Sequence, residues 1–125
     1  MAHILVVDDE PQVRTMLVLT LRQAGYTVSE ADDGEAALRI IGHGQIDLVV
    51  LDLIMPGKEG LETLTALRRG NQHPYVIAVS GGARSMDADF LPIAAKLGAH
   101  ATLKKPFDND VLLDRIRVLL GEAAD

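Results

Sequence analysis

Short apolar runs alternate along this chain with longer segments whose apolar residues recur at helical spacing. This alternation is typical of β-α-β units, in which helices cover a parallel sheet. Two of the runs are almost continuous in Val, Ile, Leu and Ala, as expected for strands that are buried on both faces. Five strands are predicted, of which the second alternates as an edge strand does: His3–Val7, Tyr26–Glu30, Ile46–Leu51, Tyr75–Val79 and Ala101–Lys104.

The segments between the runs predict five helices. The first includes Pro11, which suits the first helical position, and precedes Gly25, which suits a left-handed cap. Its predicted buried face consists of Val13, Met16, Leu17, Thr20, Leu21 and Ala24. The later helices are predicted at about residues 32–41, 61–69, 89–97 and 108–120, with Asp32 or Asp33 capping the start of the second. Pro92 is acceptable only in a first turn. Residues 1–125 are therefore predicted to form a single doubly wound α/β domain.

Composition narrows the classes of partner and site. A net charge of −6 and an aromatic content of 3% argue against a nucleic-acid partner, which clustered basic and aromatic residues would bind. The chain has no cysteine, which excludes disulfides and thiolate metal sites. Because no apolar run approaches the roughly 20 residues of a membrane helix, we expect a cytoplasmic protein with no membrane partner.

Chemically useful side chains follow the predicted strands. Asp8 and Asp9 follow the first strand, Asp52 the third, Ser80 the fourth and Lys105 the fifth. Because ligands of open parallel sheets collect at the carboxyl ends of the strands, we expect these five side chains to converge on one edge.

The physics of this cluster favours a phosphoryl site that uses a metal ion. Carboxylates within about 4–6 Å of one another repel, and a hard divalent cation such as Mg²⁺ relieves that repulsion. A cation alone does not need Ser80 or Lys105. A phosphoryl group needs both kinds of side chain, because a hydroxyl and an ammonium can bind its oxygens. Asp52, at the end of the most central strand, is the best candidate nucleophile. The four histidines fit no ligand spacing and are expected at the surface: His3, His43, His73 and His100.

Four segments resemble the signature motifs of the receiver domains of two-component response regulators, particularly the chemotaxis-regulator-like ones. These segments are Val6–Glu10, Asp52–Gly60, Ser80–Gly81 and Lys105–Phe107, in family order and at family-like spacing. The resemblance covers nearly the whole chain and implies a flavodoxin-like sheet of order 2-1-3-4-5. It also implies a phosphoacceptor module of a two-component or phosphorelay system, in which phosphorylation switches protein–protein interactions.

The resemblance assigns a metal role to one set of residues. Asp9 would ligate Mg²⁺ directly and Asp8 mainly through water, joined by Asp52 and the backbone carbonyl of Ile54.

A second set would handle the phosphoryl group. Asp52 would accept it from a histidine kinase or a histidine phosphotransfer protein, with Ser80 and Lys105 each binding a phosphoryl oxygen. Ile54 and Gly81 complete the implied phosphoryl-binding set. The peptide bond before Pro106 is expected to be cis, as family members often show.

The chain departs from the family pattern at three places. Members commonly carry Tyr or Phe where this chain has Thr102, so the usual aromatic switch is not expected. The glycine-rich segment 81–87 is predicted to be mobile before phosphorylation. Neither Ile54 nor Gly82 carries a polar group that could orient a hydrolytic water, so slow self-dephosphorylation is expected.

Other interpretations remain open from the sequence. Asp8 and Asp9 could also cap the first helix. A degenerate receiver would act as a phosphate-independent interaction module. A small phosphohydrolase with an aspartyl-phosphate intermediate would usually carry its nucleophile on the first strand, and a flavodoxin-like cofactor binder would need a phosphate loop there. We expect a signalling module rather than an enzyme, acting alone or as part of a longer regulator.

Overall fold

The computed structural model describes residues 2–54, 59–81 and 90–122. Within them five helices alternate with five strands. The elements are β1 (His3–Val7), α1 (Pro11–Gln23), β2 (Thr27–Ala31), α2 (Gly34–Gly42), β3 (Leu48–Asp52), α3 (Glu59–Arg69), β4 (Tyr75–Ser80), α4 (Phe90–Leu97), β5 (Ala101–Lys104) and α5 (Asn109–Leu120). None of the helices in these ranges is long and apolar enough to cross a membrane.

All strand pairings are parallel, and the sheet order is β2-β1-β3-β4-β5. This confirms the order that the resemblance implied. β2 lies on the outer side of β1, and β4 and β5 follow on the outer side of β3, so strand order reverses between β1 and β3. Ligands of such sheets bind outside the carboxyl ends of the strands near that reversal.

Two apolar layers cover the sheet. One face packs against α1 and α5, through Leu17 and Leu112 among others, and the opposite face packs against α2, α3 and α4. All five residues of β3 are buried. Burial of each Val or Leu side chain stabilises the fold by roughly 1.5–3 kcal/mol, so the central strand is held firmly from both sides.

Several local predictions are confirmed. Gly25 has a φ of 100°, as expected of the left-handed residue after α1. The side chain of Asp33 accepts a hydrogen bond from the Ala36 amide at 2.7 Å and caps α2. Pro92 lies in the first turn of α4, where a proline costs no helical hydrogen bond.

The predicted buried face of α1 is partly wrong. Met16 is 63% exposed and Ala24 is also exposed, whereas Val18, which was not predicted, is buried. The apolar side chains of this helix fall on two overlapping stripes, and the helix turns the stripe of Leu17, Val18 and Leu21 toward the sheet.

Candidate functional site

The predicted site residues lie at the carboxyl edge of the sheet. Asp52 ends β3 and Ser80 ends β4, each only 3% exposed, and Asp8 directly follows β1 and is 1% exposed. The backbone bonding of the sheet continues beyond the strands here, since the Lys105 amide donates to the Ser80 carbonyl at 2.8 Å. The fold therefore fixes the backbone that carries these side chains.

Asp8 is held at both carboxylate oxygens. Its Oδ1 accepts a hydrogen bond from the Glu10 amide at 2.9 Å, and its Oδ2 lies 3.1 Å from the Lys105 ammonium. Glu10 is the N-cap of α1 and makes no side-chain capping bond. Asp8 therefore stabilises the turn before α1 rather than occupying the cap position itself.

Asp52 lies between a backbone donor and the same ammonium. Its Oδ1 accepts a hydrogen bond from the Ile54 amide at 2.9 Å, and its Oδ2 lies 3.6 Å from the Lys105 Nζ. Burial raises the pKa of Asp52 to about 6, and the charges of Asp8 and Asp9 add to this, while the Ile54 amide and Lys105 oppose it. The carboxylate is thus still ionised at neutral pH, but its charge is costly.

The acidic cluster, defined as Asp8, Asp9 and Asp52, suits a metal ion. Each residue offers a carboxylate oxygen, and these oxygens lie within 4.8 Å of one another. The Oδ1 atom of Asp9 is buried and has no hydrogen-bond partner in the described residues. An unpartnered buried carboxylate oxygen is costly, and a cation would satisfy it. Because the donors are all carboxylate oxygens, they fit a hard cation.

The remaining predicted site residues are placed less completely. Ile54 directs its amide toward Asp52, and Gly81 lies half-buried directly after β4. The roles assigned to the Ile54 carbonyl, to Gly81 and to the Ser80 hydroxyl stay predictions. The Lys105–Pro106 peptide bond is cis, as expected. Gly82 and most of the segment predicted to be mobile lie outside the described residues.

Two residues that matter at this edge were not singled out from the sequence. The Arg14 side chain donates to the Asp8 carbonyl at 2.7 Å. Gly60 packs so closely that a Cβ there would lie 2.8 Å from the Asp52 carbonyl oxygen. Both contacts join residues of different elements, so no local periodicity reports them. The available signals were an arginine one turn into the helix after the acid pair, and a second glycine after Asp52.

The comparisons with known proteins agree with this geometry. The family model of the response regulator receiver domain matches residues 4–117. The chain belongs to this family. It is a receiver domain of two-component response regulators, which are phosphoacceptor signalling modules.

Its relatives include longer regulators and a sensor kinase. The transcriptional regulatory protein CpxR of Escherichia coli is 39% identical over 120 residues, which cover 96% of this chain and 50% of CpxR. The CAI-1 autoinducer sensor kinase/phosphatase CqsS of Vibrio cholerae is 38% identical over 91% of this chain and 17% of its own length. The chain thus spans about half the length, or less, of these curated relatives.

Solved receiver structures share the fold over nearly their whole length. The receiver domain of the Francisella response regulator 1452 has a TM-score of 0.85 at 28% identity, covering 97% of this chain and 98% of that one. The chemotaxis protein CheY4 of Vibrio cholerae has a TM-score of 0.82 at 30% identity, covering 94% and 98%. The fold and family predicted from the sequence are therefore confirmed.

Proposed function

We propose that this receiver domain takes its phosphoryl group on Asp52, from a phosphohistidine of a histidine kinase or histidine phosphotransfer protein. A carboxylate oxygen of Asp52 attacks the phosphorus, the bond from phosphorus to the donor imidazole nitrogen breaks, and that nitrogen takes the electron pair. The product is an aspartyl phosphate. The observation that carries the proposal is a buried carboxylate at the end of the central strand, 3.6 Å from an ammonium.

Lys105 is the proposed positive partner of the transferred group. Its ammonium lies between Asp8 and Asp52 and its side chain is 21% exposed, so it can donate to a phosphoryl oxygen without crossing the site. Ser80, which ends the neighbouring strand, would donate its hydroxyl to another oxygen, and Ile54 and Gly81 would line the same pocket. Such fixed donors stabilise charge where the reaction develops it.

The acidic cluster and the Ile54 carbonyl would hold Mg²⁺, with Asp9 as a direct ligand and Asp8 acting mainly through water. When bound, the ion neutralises charge on the phosphoryl oxygens. Support comes from the unpartnered Asp9 Oδ1 and the purely oxygen-based donor set.

Phosphorylation would then change which protein surfaces the domain presents, with no turnover of a separate substrate. With Thr102 half-buried on β5, that change would proceed without an aromatic side chain at this position. Four further expectations stay predictions: a single domain over residues 1–125, a cytoplasmic location, slow self-dephosphorylation and the absence of a nucleic-acid partner.

Intact mass spectrometry tests the proposal directly. The protein is incubated with a small-molecule phosphodonor and Mg²⁺, in parallel with Asp52→Asn and with a sample containing chelator. We expect one phosphoryl group on the wild-type protein and none in the other two. No gain on the wild-type protein with any divalent metal would contradict the proposal and leave a phosphate-independent interaction module.

A further inference from the structure

Arg14 joins three elements at the carboxyl edge. From the first turns of α1 its Nη1 donates to the Asp8 carbonyl at 2.7 Å, and its Nε lies 2.9 Å from Glu30 Oε1 on β2. The side chain is only 17% exposed. Because the guanidinium is planar with donors in a fixed arrangement, two simultaneous contacts hold it in one orientation.

The contact with Asp8 is to its backbone, and this decides what Arg14 can do. The Asp8 carbonyl belongs to the planar peptide unit that leads into Asp9. Fixing the direction of that carbonyl fixes the plane, and with it the starting point of the Asp9 side chain. The Asp8 carboxylate is already held by Glu10 and Lys105, so Arg14 is not needed to orient it.

The Asp9 carboxylate, by contrast, is not held at its Oδ1 atom, which is buried and has no hydrogen-bond partner within the described ranges. Its position therefore depends on the backbone that carries it. Asp9 nevertheless lies close enough to Asp8 and Asp52 for their oxygens to share one ion. The orientation of the peptide unit before Asp9 therefore sets whether its carboxylate meets the other two.

We propose that Arg14, anchored by Glu30, is a positioning residue that orients the Asp8–Asp9 peptide unit so that Asp9 can bind a divalent cation. The inference rests on the proposed metal role of the acidic cluster. Arg14 itself touches neither the cation nor the phosphoryl group.

Charge and positioning predict opposite effects, which makes the proposal testable. Arg14 is a cation near a cation site, so on electrostatic grounds its removal should tighten metal binding. If Arg14 acts by positioning, its removal should weaken binding instead. Removing an outer contact that orients a metal ligand typically lowers metal affinity by roughly 10–100-fold.

The experiment is a calorimetric titration of the full chain with Mg²⁺. Arg14→Gln is expected to raise the Kd roughly tenfold. Arg22→Gln is the matched control, because Arg22 lies on the same helix and donates at 3.3 Å to the Val28 carbonyl of β2, at a distance from the acidic cluster. It should leave the Kd within about twofold, since Arg22 makes no contact with the Asp8–Asp9 peptide unit in the described part of the chain.

A second pair of variants holds charge constant and does not depend on Arg14→Gln folding. Glu30→Gln keeps an oxygen acceptor for the Arg14 Nε, whereas Glu30→Ala removes it. Since both lose the same charge and Glu30 is 46% exposed, both should fold. Only Glu30→Ala is expected to weaken Mg²⁺ binding.

Phosphorylation kinetics add a second readout. With a small-molecule phosphodonor, Arg14→Gln should need more Mg²⁺ for half-maximal rate but reach the wild-type rate at saturation, and Arg14→Lys should be intermediate. Unchanged or tighter Mg²⁺ binding by Arg14→Gln, or equal weakening by Arg22→Gln, would overturn the positioning role alone. A wild-type protein that binds no Mg²⁺ would overturn the proposed metal site and this inference with it.

Discussion

The amino edge of the sheet, where the strands begin, and the carboxyl edge, where they end, differ in how their polar groups are paired. At the amino edge Asp47 accepts a hydrogen bond from the His3 amide at 2.8 Å, and its carbonyl accepts one from the Tyr75 amide at 3.0 Å. Val76 and His100 likewise exchange two bonds, from the Val76 amide to the ring Nδ1 and from the His100 amide to the Val76 carbonyl. These polar groups join strands to one another.

The carboxyl edge instead brings like charges together. In the described part of the chain, Asp8 and Asp52 of the acidic cluster share the Lys105 ammonium, and a buried oxygen of Asp9, the third member, has no partner. The sheet therefore stabilises the domain at one edge and holds a destabilising arrangement at the other. Such an arrangement is expected where binding an ion or a phosphoryl group supplies the missing partner.

The largest effect is expected from filling the space beside Asp52. In Gly60→Ala the new methyl group would lie 2.5 Å from the Leu53 Cα, so the start of α3 must move away from the end of β3. We expect a loss of about 3 kcal/mol in the free energy of unfolding, measured by urea denaturation.

Gly42→Ala is its matched control. Gly42 ends α2, and a Cβ there meets nothing within 4 Å. We expect little change or a small gain of about 0.5 kcal/mol. Equal losses in both variants would show that the close packing beside Asp52 does not determine the stability.

Removing the buried charge should stabilise the metal-free protein. The pKa of Asp52 is raised to about 6 by burial, so above that pH the folded state carries a charge that it disfavours. Asp52→Asn in chelator at pH 8 should therefore raise the free energy of unfolding by roughly 1–3 kcal/mol.

The pH dependence of that gain follows from the direction of the shift. Below pH 6 the folded wild-type protein binds the proton that the unfolded chain still releases, so its disadvantage falls as the pH falls toward 4. Saturating Mg²⁺ should also reduce the gain, because an ion bound at the proposed site would stabilise the folded wild-type protein. A gain that is constant from pH 8 to pH 4 would contradict this account.

Removing an aspartate carboxylate at the amino edge should change stability with the opposite sign. Asp47→Ala removes the acceptor of the His3 amide, an exposed bond, and should cost about 0.5–1 kcal/mol. Chemical denaturation of Asp47→Ala and Asp52→Asn under identical metal-free conditions compares the edges directly. Stabilisation by both would remove the distinction between them.

The smallest effect concerns His100. Burial lowers its pKa, with a contribution from Arg68, so the neutral ring is the form that the fold favours. The stability that it contributes is complete above about pH 6.5 and is lost as the pH falls through its folded pKa. His100→Asn keeps an acceptor for the Val76 amide that does not titrate.

The wild-type protein should therefore lose more stability than His100→Asn between pH 7.5 and pH 5. The difference should stay under about 1 kcal/mol, because the residue is only partly buried and solvent screens its charge. Parallel losses in the two proteins would show that this ring does not titrate with unfolding.

Most of the fold could be predicted because strand burial and helix spacing are local signals. β1 and β5 begin and end where predicted, while β3 begins at Leu48 rather than Ile46. Asp47 bonds to His3 through both backbone and side chain, and this contact between distant residues displaces the start of the strand. Met16 was misplaced for a related reason, since spacing gives stripes but not which stripe meets the sheet.

The acidic cluster could be predicted because parallel strands bring their carboxyl ends together. The contacts between individual atoms could not be predicted, because the position of the Lys105 ammonium between Asp8 and Asp52 depends on side-chain geometry. Arg14 and Gly60 were missed because their importance comes from neighbours on other elements.

The parallel register also decides where this domain can tolerate changes in length. Asp52 is paired with Val79. Successive side chains of a strand point to alternate faces of the sheet, so the register determines where the last side chain of each strand lies. A one-residue insertion within β3 would turn every later side chain of that strand to the opposite face and separate Asp52 from Lys105. An insertion at His43–Gln45, exposed or half-exposed between α2 and β3, leaves the register intact. Evolution and engineering can therefore lengthen the connections at the amino edge while the strands remain fixed in length.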